Sequence, residues 1–266
     1  MDDRIRVTLQ NGVADVRLVR ADKMNALDDH MFEALRRTAE QLEAMPGVRA
    51  VLLSGEGRAF CAGLDTANFG KMASGERGGA RLLQGERTPG GSNPSQHAVM
   101  AWRELPVPLI AAVHGVAYGG GFQLMLAADI RFIAAETKLS VMEINWGLVP
   151  DMGGMVLLRG LVRDDVAREL VYTGRVFSGS EAQQLGLATH LSADPYADAL
   201  ALAREIATRP PKAMRAAKRL LDLAQHAEAK TILLAESTEQ AALIGAAEQV
   251  EAVRARLEKR PAVFVD

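Results

Sequence analysis

Three stretches of the chain combine residue types that can do chemistry. The first, Gly57-Arg58-Ala59-Phe60-Cys61-Ala62-Gly63-Leu64-Asp65, follows a short apolar run, and the second, from His114 through Gly119-Gly120-Gly121 to Gln123, follows another. Each sets glycine where a strand gives way to a turn or helix. Backbone N–H groups can be left without intrachain partners there, and a helix N-terminus adds positive partial charge. Two such N–H groups aimed at one point would form an oxyanion hole, in which one donor is worth about 3–4 kcal/mol in a transition state. Taken singly, either glycine cluster equally serves a tight turn or close helix–strand packing. The third stretch, Val141 to Gly154, holds two carboxylates, Glu143 and Asp151, among apolar residues. Burial raises carboxyl pKa values and suits them to proton transfer. The competing roles are a surface salt bridge for Glu143 and, for Asp151 ahead of an apolar helical run, a helix N-cap.

Other chemistries find little support. His30, His97, His114, His190 and His226 lack ligand-like spacing, and with one cysteine no metal site is expected. No Gly-x-Gly-x-x-Gly, Walker lysine or Gly-x-Ser-x-Gly motif is present. Cys61 has no basic neighbour in sequence and reads as a small core residue rather than a nucleophile.

The elements that must position these groups follow from periodicity. Ile5, Val7 and Leu9 alternate, Asn11-Gly12 signals a type I′ turn, and Val16 and Leu18 resume the alternation, so 4–19 reads as a hairpin. Leu27, Met31, Leu35, Ala39 and Leu42 share one helical face, with Asp28 as N-cap and Pro46-Gly47 as the stop. Ala50 to Leu53 reads as a buried strand. Residues 65–95, with Gly70, Gly75, Gly78, Gly79, Gly85, Gly90 and Gly91 among charges, read as a mobile surface loop or lid. A helix near 96–104 and strands near 108–113, 130–134 and 139–142 follow. From about 153 onward the chain reads as mainly helical, with a break at Arg209-Pro210-Pro211. The pattern is an α/β layer followed by a helical tail.

Composition sets the bounds. The 266 residues are 48% hydrophobic and 24% charged with a net charge of −2, which suits a globular chain and shows no nucleic-acid footprint. The single cysteine fits a reducing compartment, and a cytoplasmic location is expected. The first residues lack the basic and apolar regions of a signal peptide. Leu105 to Ala128 carries no formal charge and is long enough to span a bilayer, but Pro106, Pro108 and the glycines break it. It reads as a buried strand, a glycine turn and a buried helix, with no membrane partner.

Together these stretches resemble the enoyl-CoA hydratase/isomerase (crotonase) family. Asn25-Ala26-Leu27 resembles its Asn-Ala-Leu, Ala62-Gly63-Leu64-Asp65 its first oxyanion element and Gly119-Gly120-Gly121 its second. Gly174-Arg175, Glu181-Ala182 and Gly186-Leu187 resemble its later helical segment. The resemblance implies an α/β fold, a ββα superhelical spiral over 1–200 that carries an acyl-CoA site. It also implies a C-terminal helical trimerisation region over 201–266, with a homotrimer or dimer of trimers as the assembly. It places the oxyanion donors at the N–H groups of Leu64 and Gly120, flanked by Ala62 and Gly119. The family's hydratases hold and split a water with two glutamates. The second matches Glu143, whereas the first falls on Gln123, a departure that puts hydration in doubt. Asp151 falls where dienoyl-CoA isomerases carry a proton-shuttling acid, so movement of a double bond is favoured over addition of water. A hydratase that tolerates Gln123 and a non-catalytic acyl-CoA-binding protein are the alternatives. Lys23 and Lys259 are the implied CoA contacts, Lys259 from a neighbouring subunit. No cofactor is implied beyond the coenzyme A of the substrate.

Overall fold

In the computed structural model, which describes residues 4–76 and 78–265, the N-terminal alternation folds as a hairpin. Strands β1 (Ile5–Gln10) and β2 (Val13–Leu18) pair antiparallel. Asn11 and Gly12 between them both have positive φ, 51° and 81°, as a type I′ turn requires. Met1 to Asp3 and Arg77, on which parts of the sequence reading fell, lie outside the described residues.

Strands β3 (Ala50–Gly55) and β4 (Leu109–Val113) extend the sheet in parallel, followed in space by β6 (Ile130–Ile133) and β9 (His190–Leu191). A second sheet orders β5 (Val116–Tyr118), β7 (Lys138–Ser140) and β8 (Phe177–Ser178). The chain therefore turns between sheets at His114-Gly115, immediately after β4. β8 and β9 are departures from the expectation of a helical region beyond 153. Each has two residues, too few for alternation to mark.

The central strands are buried on both faces, as parallel sheets are. Val51, Leu53, Leu109 and Ala111 point into one core with α1 (Asp29–Ala44) and α3 (Pro94–Arg103). Ala50, Leu52, Ile110 and Ala112 point the other way, onto Ala199, Ala203 and Ala207 of α8 (Pro195–Ala207). Asp28 caps α1, its side chain accepting from the Met31 N–H at 2.8 Å. The glycine-rich stretch 65–95 is not simply a loop. It contains α2 (Thr66–Ala73), capped by Asp65, and a 3₁₀ turn at Gly79–Leu82. The uncharged stretch from Leu105 to Ala128 is β4, β5 and the buried α4 (Gly120–Leu126). No helix among the described residues is long and apolar enough to cross a membrane.

Helices α5 (Gly154–Leu158) and α6 (Asp164–Thr173) lie between β7 and β8, and α7 (Gly179–Gln184) follows β8. After α8 come α9 (Pro211–Ala224), α10 (Ala229–Leu243) and α11 (Ala247–Leu257).

Candidate active site

Two backbone N–H groups are left open where the glycine clusters meet. Leu27 and Leu64 form an isolated parallel bridge: the Leu27 N–H donates to the Gly63 carbonyl (2.8 Å) and the Asp65 N–H to the Leu27 carbonyl (3.1 Å). Strand geometry then turns the Leu64 N–H to the opposite side, and it finds no acceptor among the described residues. The Gly119 N–H donates to the Ser140 carbonyl at 3.0 Å, but Gly120 opens α4 and its N–H is likewise without an acceptor there. Gly63 brings the two segments together. Its φ is +84°, and a Cβ on it would lie 2.5 Å from the Tyr118 carbonyl oxygen and 3.6 Å from the Gly120 nitrogen. Only glycine allows that approach. The approach is framed by Asn25, fully buried at φ 55°, whose side-chain amide donates to the carbonyls of Glu56, Ala59 and Phe60 at 2.9–3.1 Å.

The carboxylates enter from elsewhere. Glu143 begins a 3₁₀ turn (Glu143–Trp146) shortly after β7. Its Oε1 accepts from Gln123 Nε2 at 2.7 Å, and its Oε2 is buried without a hydrogen-bond partner among the described residues. Burial raises its pKa above the ordinary carboxylate value, and the nearby charge of Asp151 adds to the rise, while the Gln123 hydrogen bond opposes it. The surface salt bridge considered for Glu143 is therefore not its setting. Asp151 is not the cap of α5 either: the cap position is Gly153 at φ 92°, with no side-chain cap bond. Asp151 stands two residues earlier, exposed, on the same cavity as Glu143.

Gln123 is 1% exposed and its amide is committed at both ends. The oxygen accepts the N–H groups of Met152 and Gly154, each at 2.9 Å, and the nitrogen serves Glu143. It fastens the turn that carries Asp151 to the carboxylate across from it.

These groups line one cavity of about 460 Å³, with Ala62, Gly63, Leu64, Gly119, Gly120, Gln123, Glu143 and Asp151 on its polar side. The apolar side comes from Phe32, from Phe69 and Met72 of α2, and from Trp146, with Phe69 and Trp146 stacked at 4.2 Å between ring centroids. This wall was not read from the sequence. Phe69 and Met72 sit three apart, the only signal available, inside a stretch dominated by glycine. Lys23 and Lys259 do not line the cavity. Lys23 is exposed beside Met24, whose carbonyl accepts from the Ala62 N–H, and so lies near the cavity's rim. Lys259 is exposed beyond α11. Cys61 is fully buried, its thiol donates to the Asn25 carbonyl, and burial pushes its pKa up to about 12, the opposite of what a nucleophile needs.

A spiral of ββα units with two free N–H groups and two carboxyls at one cavity defines a protein suited to polarising a carbonyl and moving protons beside it. The enoyl-CoA hydratase/isomerase family profile matches residues 8–266. The chain is 32% identical over 257 residues to methylglutaconyl-CoA hydratase of Mus musculus, covering 94% of this chain and 78% of that protein. It is 29% identical over 264 residues to the peroxisomal Delta(3,5)-Delta(2,4)-dienoyl-CoA isomerase of Arabidopsis thaliana, covering 98% and 95%. The crystal structure of an enoyl-CoA hydratase from Bacillus anthracis superposes with a TM-score of 0.88 at 28% identity, covering 98% of both chains. The chain belongs to the enoyl-CoA hydratase/isomerase family, and its fold is crotonase-like.

Proposed function

We propose that the protein moves a carbon–carbon double bond in an enoyl-CoA or dienoyl-CoA thioester. The thioester oxygen sits between the N–H groups of Leu64 and Gly120. One of the carboxyls of Glu143 and Asp151, ionised, removes a proton from the carbon chain, and the electron pair moves through the conjugated system onto that oxygen as a dienolate. The other, protonated, returns a proton at a different carbon, and the double bond is re-formed one position along. The two carboxyls end with their protonation states exchanged, and exchange with water at the cavity mouth resets them. Substrate and product have the same composition. Lys23, and Lys259 from a neighbouring copy, serve the phosphates of coenzyme A.

The state of Gln123 is the observation that supports this over hydration. Two carboxyls holding a water would need an acid at 123. The residue there is an amide whose oxygen is already taken by two backbone N–H groups and whose nitrogen serves Glu143. An amide exchanges no proton at neutral pH, and a missing acid/base partner typically forfeits about 10²- to 10⁴-fold in rate. Mass spectrometry of products from a panel of enoyl-CoA and dienoyl-CoA thioesters tests the reading. A shifted alkene of unchanged mass is expected. Rapid addition of water with no alkene shift would replace it with hydration, the reaction named for the mouse relative.

A further inference from the structure

The segment that carries the Leu64 N–H is strapped to one turn of chain. The Met24 carbonyl accepts from the Ala62 N–H at 2.9 Å, the Leu27 N–H donates to the Gly63 carbonyl at 2.8 Å, and the Leu27 carbonyl accepts from the Asp65 N–H at 3.1 Å. The direction of the Leu64 N–H therefore follows residues 24–27. Met24 and Asn25 in that turn have φ of 50° and 55°, a left-handed backbone that residues other than glycine keep only where the surroundings hold it. Arg20 holds it with both its backbone and its side chain. Its carbonyl accepts the Lys23 and Asn25 N–H groups at 3.1 and 2.9 Å. Its Nη1 donates to the Ala26 carbonyl at 3.0 Å and to Asp65 Oδ2 at 2.6 Å, and so joins the residue before Leu27 to the residue after Leu64. Asp65 uses its other oxygen to cap α2, accepting from the Ala67 N–H at 3.0 Å. Arg20 Nη2 also lies 3.5 Å from Oδ2 of Asp28, the N-cap of α1. The side chains of Arg20 and Asp65 are each 15% exposed, a setting in which salt screens a pair little.

We infer that Arg20 is a positioning residue for the oxyanion hole: through Ala26 and Asp65 it fixes the direction of the Leu64 N–H without itself reaching the substrate. The assignment rests on the oxyanion reading above but not on which reaction follows. Arg20 is not among the described residues that line the cavity, so its loss reaches the thioester oxygen only through the turn and the segment strapped to it. That route is sensitive, because a hydrogen bond weakens steeply as its angle closes, and a donor is worth most to a developing oxyanion when it is aimed beforehand. A charge-assisted hydrogen bond is roughly twice as strong as a neutral one, so the Arg20–Asp65 contact outweighs either backbone link it reinforces.

Difference infrared spectroscopy of butyryl-CoA, isotope-labelled at the thioester carbonyl carbon and bound to the full-length protein, reads the hydrogen bonds to that oxygen. In the wild type the carbonyl stretch is expected to fall in frequency on binding. Arg20→Gln is expected to lose half or more of that fall. Asp65→Asn keeps an N-cap for α2 but not the ion pair, and is expected to do the same. Arg20→Lys keeps the charge and is expected to restore part of the fall. Should Arg20→Gln fold poorly, the other two variants carry the test. On a confirmed substrate Arg20→Gln should lower kcat by about tenfold or more with KM within about threefold, the split that follows when an interaction of the transition state is lost. Arg103→Gln controls for lost stability, since Arg103 bridges Asp129 and Asp222 at 3.1 and 2.5 Å away from the cavity: Tm should fall while the carbonyl stretch stays at its wild-type value. A wild-type fall kept in full by Arg20→Gln and Asp65→Asn, or lost equally in Arg103→Gln, would overturn the assignment alone. A wild-type protein in which the stretch does not move would remove the oxyanion reading and the assignment with it, so the two failures are told apart.

Discussion

Three side chains divide the labour at the smallest scale, and each variant isolates one part. Glu143→Gln removes an acid/base carboxyl while keeping an acceptor oxygen for Gln123 Nε2, so kcat on a confirmed substrate is expected to fall about 10²-fold or more with binding retained. The same variant should alter stability. Glu143 has a folded-state pKa raised above its unfolded value, chiefly by burial. Its contribution to stability is therefore full below the unfolded pKa and is lost as pH rises through the folded one. Glu143→Gln escapes that loss: its Tm should exceed that of wild type at pH 8 and converge with it toward pH 4 in thermal melts. A Tm difference that does not change with pH would remove the burial argument. Asp151→Asn keeps the size and hydrogen-bonding capacity of the side chain and should abolish double-bond migration. Full isomerase activity in that variant would end its assignment. Gln123→Leu leaves the Met152 and Gly154 N–H groups without their acceptor, a loss of about 1–3 kcal/mol for each buried group. It also removes the hydrogen bond that favours ionised Glu143, so the limb of the pH–rate profile that Glu143 sets should move upward in pH. Gln123→Glu keeps the acceptor but sets two carboxyl oxygens at what is now a 2.7 Å contact, so the pair must share a proton; a gain of water addition is expected, read as a change in product mass. The identities of these residues were legible in the sequence. Their partners were not, since the contact between Gln123 and the turn at Met152 depends on the folded path of α4 and shows in no local pattern.

At the scale of elements, what was legible is what repeats or what only glycine can do. The hairpin, α1 with its Asp28 cap and the buried β3 and β4 all came from periodicity, which tracks burial directly. The glycine clusters marked real constraints. Gly63→Ala would meet the Tyr118 carbonyl and oppose a positive φ, so the strand end must shift and carry the Leu64 N–H with it. A loss of about 10²-fold in kcat is expected with the far-UV circular dichroism unchanged, in line with removal of one oxyanion donor. α2 escaped notice because its apolar residues face a cavity instead of the core, so its periodicity is short, and Gly70 interrupts it. A Cβ on Gly70 would meet nothing within 4 Å, and the residue has no positive φ. Gly70→Ala should therefore stabilise the protein by about 0.5–1 kcal/mol, read as a higher midpoint in denaturant. A lower midpoint would mean that α2 is not a continuous helix in solution.

Across the whole molecule, the two cores use both faces of the main sheet as far as α8, and the last helices have no comparable support. α10 spans fifteen residues with none buried, and it is tied to α9 by the Arg219–Glu239 pair at 2.7 Å. Isolated helices of that length are marginal in water, and most helical stability in proteins comes from packing an apolar face. Apolar side chains are exposed there: Leu233 and Leu234 on α10 are 61% and 69% exposed, and Ile244 after it and Val250, Val253 and Leu257 on α11 are exposed too. Surface of that kind marks an interaction site. The expected partner is another copy of this chain, as a homotrimer or a dimer of trimers. Light scattering should then give three or six times the chain mass at micromolar concentration, and Tm should rise with protein concentration, since association stabilises only the folded chain. Leu234→Glu places a charge in the patch without touching the sheet or the cavity, and should shift the distribution to smaller species and flatten that concentration dependence. A wild-type protein that stays monomeric at micromolar concentration, with a Tm independent of dilution, would show that α10 stands on α9 alone.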